Sequence, residues 1–357
     1  MISTPSFAKI NLGLKIGARR PDGFHELRTV YQTLALHDVI RVDVQPGTGI
    51  EIRCDDPRVP LDRTNTCYKI AERVLALKPR ASGEMRAAGL NARSTRVVIE
   101  IEKHLPVQGG LGAASSNAVV TMLGLERALG IDLSPAEKRR IAAEVGSDLP
   151  LFLIGGTVLG VGRGEEICAL PDLPVLNLVI VTPPVGVSTP RAFARWDELI
   201  AQGPALTHPK PTGTINEFSE RVFAWLSKGF PQAEARSQIA VTQGGAEAEP
   251  ASGVPAGGGD RAETPLLDLV RTGIENDFER VVFPEYPELR EVKERLWREG
   301  AQFASLSGSG SALYGVFASE NDANVAAERM SAAGDAAVAT SSLVRYDYCK
   351  AIGTAPP

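Results

Sequence analysis

No run of 18 apolar residues occurs anywhere in this 357-residue chain, so no helical membrane span is expected. Cysteine is scarce. Cys54, Cys67, Cys168 and Cys349 lie far apart with no CxxC pair, which leaves neither a zinc motif nor a redox motif and points to reduced thiols. Histidine is just as sparse: His37, His104 and His208 show no metal-ligand spacing, and no protein metal ligand is assigned. A basic surplus is also missing. With a net charge of −5 the chain offers no stripe of the kind that displaces counterions from phosphate backbones, so no nucleic-acid partner is expected. The opening residues, Met1 to Pro5, lack a basic start followed by an apolar stretch; no secretory signal is expected, and the cytoplasm is the expected compartment.

What remains is an ordinary globular composition, 43% hydrophobic and 23% charged, long enough to favour two domains, here expected at 1–170 and 171–357. Val- and Ile-rich runs broken by Pro, Gly and Asp predict strands at Ala8 to Ile16, Val39 to Val44, Ile50 to Arg53 and Val97 to Ile101. Ala118, Met122, Leu125 and Leu129 recur at helical spacing before Gly130, predicting a helix with one buried face. Ser134, Pro135 and Glu137 announce a second helix through an N-cap, an N1 proline and a capping-box glutamate, with its end near Gly146. Strands are expected again at Gly156 to Val161 and Leu176 to Val181, helices near Pro190 to Ile200 and Pro287 to Gly300, and a strand, glycine turn and strand over Phe303 to Phe317. Between Thr242 and Pro265 the chain is dominated by Gly, Ala and Pro and has no aromatic. Such a composition cannot bury enough surface to offset its ordering entropy, and a flexible insertion at about 242–265 is expected.

The strongest chemical signal is the stretch from Leu105 to Asn117, which lies between a predicted strand and a predicted helix. Glycines at 109, 110 and 112 let backbone N–H groups approach phosphate oxygens, the helix N-terminus adds partial positive charge, and Ser115 or Ser116 can offer a hydroxyl. No Gly-Lys-Ser/Thr follows, so this is not a Walker A loop. The acidic residue that a dinucleotide fingerprint requires at the end of a second strand is absent too.

This loop resembles the second motif of the GHMP kinases, the superfamily of galacto-, homoserine, mevalonate and phosphomevalonate kinases. Two further motifs agree in order: Ala8-Lys9-Ile10-Asn11-Leu12 resembles the first, and Leu306-Ser307-Gly308-Ser309-Gly310-Ser311 the third, a glycine turn that closes over the phosphates. Within the superfamily, Arg20 to Leu27, Gly146 to Pro150 and Asn276 to Glu279 resemble the branch that phosphorylates a cytidine-diphosphate alcohol. The resemblance covers about residues 5 to 200 and 265 to 350. It departs from the family at Phe24, where Tyr is common, and at Gln108, Ala113 and Ala114 in the phosphate loop.

The resemblance implies an α+β fold with a ribosomal-protein-S5-like N-terminal domain, a ferredoxin-like C-terminal domain, and an active site in the cleft between them. It further implies ATP and Mg²⁺ as cofactors and a small-molecule acceptor. Asp148 follows a helix end and precedes the apolar run Leu149 to Ile154; alone it reads more readily as a turn aspartate or an N-cap, and the family match makes it the base for the acceptor hydroxyl. Lys9 interrupts an apolar strand; beside Asp148 it would keep the carboxylate ionised and attract the migrating phosphoryl group. The ATP site implied by the match comprises Asn65, Lys103, Pro106, Gly109, Gly110, Leu111, Gly112, Ala113, Ala114, Ser115, Ser116 and Asn117, with Gly308, Ser309 and Gly310 as the closing turn. Asn11, Thr189 of the Ser-Thr-Pro turn, and Phe24 with His25 are implied for the acceptor, the last two clamping a cytosine ring. A capping role for Asn65 and a solvated Lys103 stay open, as do a different GHMP acceptor and a nucleotide-binding module without turnover.

Overall fold

Strand β1 (Ile2–Arg19) and strand β2 (His25–Pro46) form one long antiparallel hairpin on which the rest of the molecule is assembled. Alternation sends Ala8, Ile10 and Leu12 of β1 into one apolar core and turns Lys9 and Asn11 the other way. Register shifts between Phe7 and Lys9 and between Asn11 and Gly13 bracket that polar pair, and such bulges re-aim side chains. The computed structural model describes residues 1–77, 95–107, 109–201, 215–227 and 275–356. The expected insertion at 242–265, Gln108 and His208 lie outside the described residues.

The first sheet adds β3 (Gly49–Arg53), β4 (Thr95–Glu102), β5 (Thr157–Val161) and β6 (Glu166–Ala169) in the order β3-β4-β2-β5-β6, with β1 on β2. Helices α1 (Thr66–Ala76), α2 (Ala113–Leu129) and α3 (Pro135–Val145) cover it, burying Ile40, Val42, Val97 and Ile99 against Ile70, Ala118 and Met122. The expected capping box of α3 forms: the Ser134 hydroxyl accepts from the Glu137 amide, while Glu137 accepts from the Ser134 amide. Helix α2, expected to bury one face, buries most of its circumference, because α1 packs on the side that the sheet leaves open.

The second sheet has the strand order β10-β7-β9-β8, with β7 (Asn177–Val181), β8 (Phe303–Leu306), β9 (Leu313–Phe317) and β10 (Ala337–Ser341), every pairing antiparallel. Helices α4 (Thr189–Ala201), α5 (Ile215–Ser227), α6 (Glu279–Glu285) and α7 (Pro287–Arg298) lie between β7 and β8 in the chain, and α8 (Glu320–Ala332) between β9 and β10. Strand, helix, two strands, helix and strand in the spatial order 4-1-3-2 is the ferredoxin-like arrangement, so the α+β fold expected from the sequence is the one observed. Both faces of this sheet are buried. Val179, Val181 and Leu313 meet Leu289, Val292 and Ala326 of the helices, whereas Leu178, Ile180 and Tyr314 meet Ala8, Ile10 and Leu12 of β1. The last helix, α9 (Arg345–Ile352), returns to the first core through Tyr348, Cys349 and Ile352.

Candidate active site

The backbone of the phosphate loop is tied on two sides. The Lys9 amide donates to the Leu111 carbonyl at 2.9 Å, and the Ala312 amide donates to the Gly109 carbonyl at 3.0 Å. Only glycine fits at two points of contact. Gly112, at φ 70°, opens helix α2, and a Cβ there would stand 2.9 Å from Lys9 Cγ and 2.9 Å from Phe152 Cζ. Gly110, at φ 75°, would bring a Cβ within 2.3 Å of the Ser307 carbonyl oxygen. The third glycine motif is thereby packed directly on the second. No side chain caps the first turn of α2, so its leading amides remain available to an anion.

These amides open onto a cavity of about 360 Å³ lined by Asn65, Lys103, Pro106, Gly109 to Ser115 and Asn117, together with Arg58, Val59, Pro60 and Cys67, which the sequence reading missed. Burial pushes the Cys67 thiol up to about 12, so it stays neutral near pH 7. Of the two candidate serines, Ser115 lines the cavity. Ser116 does not reach it; it is fully buried, and its hydroxyl accepts from Ser6 at 2.8 Å. Asn65 caps α1, accepting from the Cys67 amide at 2.8 Å and donating to the Pro60 carbonyl at 2.7 Å, so both ends of its amide are engaged. Lys103 is no solvated lysine: its ammonium meets the wholly buried Asp38 at 2.7 Å. Asp38 also accepts from the His104 and Leu105 amides and from Asn117 Nδ2, pinning the start of the phosphate loop to α2.

Lys9 and Asp148 come together at the helix end of this cavity. The Lys9 ammonium, its side chain only 4% exposed, donates to Asn11 Oδ1 at 2.7 Å and lies 3.4 Å from Asp148 Oδ2. Asp148 is 37% exposed, open enough to meet a reactant. Asn11 Nδ2 donates to Thr29 Oγ1 at 2.8 Å, which in turn donates to the Gly13 carbonyl. Tyr31 completes the group: its hydroxyl donates to Asp148 Oδ1 at 3.1 Å, and the Lys9 ammonium lies 5.6 Å from its ring centroid. Tyr31 and Thr29 sit in the first half of β2, whose mixed polar sequence gave no clear strand signal.

The glycine turn between β8 and β9 comes close to Lys9 and Asn11: a Cβ at Gly308 would lie 3.2 Å from Asn11 Oδ1 and 3.6 Å from Lys9 Nζ. Asn276 Nδ2 holds the turn by donating to the Leu306 and Gly308 carbonyls at 2.8 and 2.7 Å, and Glu279 Oε1 accepts from the Leu306 amide and Ser305 Oγ at 2.9 Å each. Asp277 accepts from Lys15 Nζ and the Ile16 amide, both at 2.9 Å; burial raises its pKa even though Lys15 pulls the other way. The Asn-Asp-Phe-Glu tetrad therefore ties the turn to β1. Thr189 Oγ1 and Ser309 Oγ are 2.7 Å apart, linking α4 to the same turn.

Phe24 stands away from this group, 52% exposed at the tip of the β1–β2 hairpin, with the Arg163 guanidinium 4.9 Å from its ring centroid. His25 is buried instead of open. Its ring stacks on Phe193 at 4.9 Å and 8°, and Nε2 meets Asp197 Oδ1 at 2.7 Å, so the imidazole edge expected to face a base is already engaged.

Family models described as "GHMP kinases N terminal domain" and "GHMP kinases C terminal" match residues 65–156 and 263–336. A 4-diphosphocytidyl-2-C-methyl-D-erythritol kinase of Solibacter usitatus is 33% identical over 316 residues, spanning 88% of this chain and 81% of the relative. One of Moorella thermoacetica is 32% identical over 330 residues, spanning 92% and 95%. A crystal structure of 4-(cytidine 5'-diphospho)-2C-methyl-D-erythritol kinase matches with a TM-score of 0.63 at 26% identity, covering 96% of this chain and 99% of that one. The mevalonate kinase of L. major, solved with R-mevalonate, matches with a TM-score of 0.61 at 15% identity over 96% of each chain, a likeness of fold alone. With motifs, fold and relatives in agreement, the chain belongs to the GHMP kinase family, in the branch of the 4-diphosphocytidyl-2-C-methyl-D-erythritol kinases.

Proposed function

We propose that the chain transfers the γ-phosphoryl group of ATP to the 2-hydroxyl of 4-diphosphocytidyl-2-C-methyl-D-erythritol, giving the 2-phosphate and ADP in the non-mevalonate route to isoprenoid precursors. The observation that carries the reading is the Lys9–Asp148 pair, 3.4 Å apart, beside the uncapped start of α2 at the end of a cavity of about 360 Å³. The triphosphate lies along Gly110 to Ser115 under the Gly308 turn, with its γ-phosphorus toward Lys9. Asp148 takes the proton as the acceptor oxygen bonds to that phosphorus and the bond to the β-phosphate oxygen breaks, releasing ADP. Lys9 offsets charge on the migrating group, and Asn11 and Thr189 orient the acceptor. Phe24 stacks on the cytosine, while His25, its ring engaged elsewhere, supports that corner.

Magnesium belongs to this reading as part of the nucleotide substrate. Among the described residues no group of three His, Cys, Asp or Glu side chains could hold an ion by itself. The Ser115 hydroxyl and the nucleotide's own oxygens are hard donors of the kind Mg²⁺ takes together with water, which fits an ion that arrives with ATP. A cytoplasmic enzyme with two domains divided near residue 170 completes the proposal. The division is supported by the strands themselves, those of the first sheet lying at 2–169 and those of the second at 177–341; among the described residues no helix is long and apolar enough to cross a membrane.

The test is ATP consumption by purified protein with the cytidine-diphosphate alcohol, compared with mevalonate, homoserine and galactose. Turnover confined to the first is expected; a preference for any of the others would overturn the acceptor assignment while leaving the kinase chemistry in place.

A further inference from the structure

Tyr31 is the residue that touches both members of the Lys9–Asp148 pair without lying where a substrate would meet it. It stands on β2 directly opposite Asn11 and is 2% exposed. The ammonium of Lys9 lies 5.6 Å from its ring centroid, and its hydroxyl donates to Asp148 Oδ1 at 3.1 Å. The two oxygens of Asp148 are thus divided, Oδ2 toward Lys9 and Oδ1 toward Tyr31. The phenol has little freedom. A Cβ at Gly164 would come 2.6 Å from its hydroxyl oxygen, and one at Gly160 would come 2.6 Å from Cε2, so the β5–β6 turn closes on the ring.

We propose that Tyr31 is a positioning residue for the transfer, fixing the Asp148 carboxylate through Oδ1 in the orientation in which it receives the acceptor proton. The proposal rests on Asp148 being the base. A carboxylate that is 37% exposed and held by Lys9 at Oδ2 alone would still swing about that one contact, whereas a hydroxyl on a buried strand fixes the second oxygen and leaves the solvent-facing side of the group to the acceptor. Burial, with the negative charges of Asp148 and Glu165, holds the phenol well above its ordinary pKa, so it remains a donor. Glu165 is itself held by Arg163 at 2.9 Å, and Lys9 is the cation that faces the pair. A hydrogen bond to any carboxylate also makes it a weaker base. That effect is outweighed here, because a reacting group misplaced by about 1 Å costs on the order of a hundredfold in rate.

Tyr31→Phe keeps the ring, its packing and its contact with Lys9, and deletes only the hydroxyl. We expect kcat to fall about tenfold, with KM for ATP and for the cytidine substrate each within about twofold and the thermal midpoint close to the parent's. Repeating the substitution in an Asp148→Asn background separates positioning from general support. Coupled residues are non-additive, so Tyr31→Phe should then change kcat by less than about twofold. An unchanged kcat in the single variant, or the same tenfold loss in both backgrounds, overturns the proposal. Near-normal turnover of Asp148→Asn alone would overturn the base assignment itself, and that failure is read without reference to Tyr31.

Discussion

At the scale of single residues the site depends on one asymmetry. Lys9 is almost wholly buried and Asp148 is partly open, although they form one ion pair. A buried ammonium needs hydrogen-bond partners, and Lys9 has Asn11 Oδ1 at 2.7 Å besides the carboxylate. Asp148 has solvent access and can exchange its place beside water for one beside an acceptor hydroxyl. Replacing it by Asn keeps its size and an oxygen that can accept from Tyr31, but removes the group proposed to take the proton. We expect kcat of Asp148→Asn to drop by about a hundredfold or more while ATP binds with nearly its original affinity, because the nucleotide cavity does not include residue 148. Steady-state turnover together with an ATP titration checks this, and turnover near the parent level would remove Asp148 from the chemistry.

At the scale of elements, the turn between β8 and β9, proposed to close on the phosphates, is held by a segment far from it in the chain. Asn276 is 3% exposed and spends both amide hydrogens on the Leu306 and Gly308 carbonyls. Asn276→Ala leaves two acceptors without that donor, which costs about 1–3 kcal/mol for a buried polar group and loosens the turn over the nucleotide. A lower thermal midpoint and a several-fold higher KM for ATP are expected from melting curves and initial rates; a variant with both unchanged would show that the turn holds itself. The tetrad was legible in the sequence only as a family signature, since the carbonyls to which Asn276 Nδ2 donates lie 30 and 32 residues away. Helices with strong local signals were legible: the Ser134 capping box forms, and the glycine loop does lie between a strand and α2. Helix α8 was not. Its buried face is Ala323, Ala326, Ala327 and Met330, too weakly apolar to give a periodic signal, and the sheet beneath supplies the burial. The site was legible as a set of motifs, but Tyr31, Asp38 and Arg58 were not, because only the fold brings them to Asp148, Lys103 and the cavity.

At the scale of the whole molecule, one strand sets the geometry of both proposed binding regions. The apolar residues of β1 are sealed against the second sheet, and Lys15 of the same strand meets Asp277 at 2.9 Å, so the hairpin is held against the C-terminal elements that carry Thr189 and the glycine turn. The proposed nucleotide and acceptor regions therefore meet at Lys9 and Asp148 yet are lined by different residues. The cavity draws on positions 58 to 117, whereas Phe24 stands at the hairpin tip beside Arg163. Mutation should separate them. The Phe24 ring is half exposed, an aromatic face accessible to a partner. The Arg163 guanidinium lies over the ring, 4.9 Å from its centroid. Stacking of a base on an aromatic side chain contributes about 1 to 3 kcal/mol, so Phe24→Ala should raise KM for the cytidine substrate roughly 5- to 150-fold with little change in KM for ATP. Phe24→Tyr retains the ring and should be mild. If Phe24→Ala instead weakened ATP and left the cytidine substrate untouched, the hairpin tip would not be the base site, and an acceptor without a nucleobase would become the better reading of this cleft.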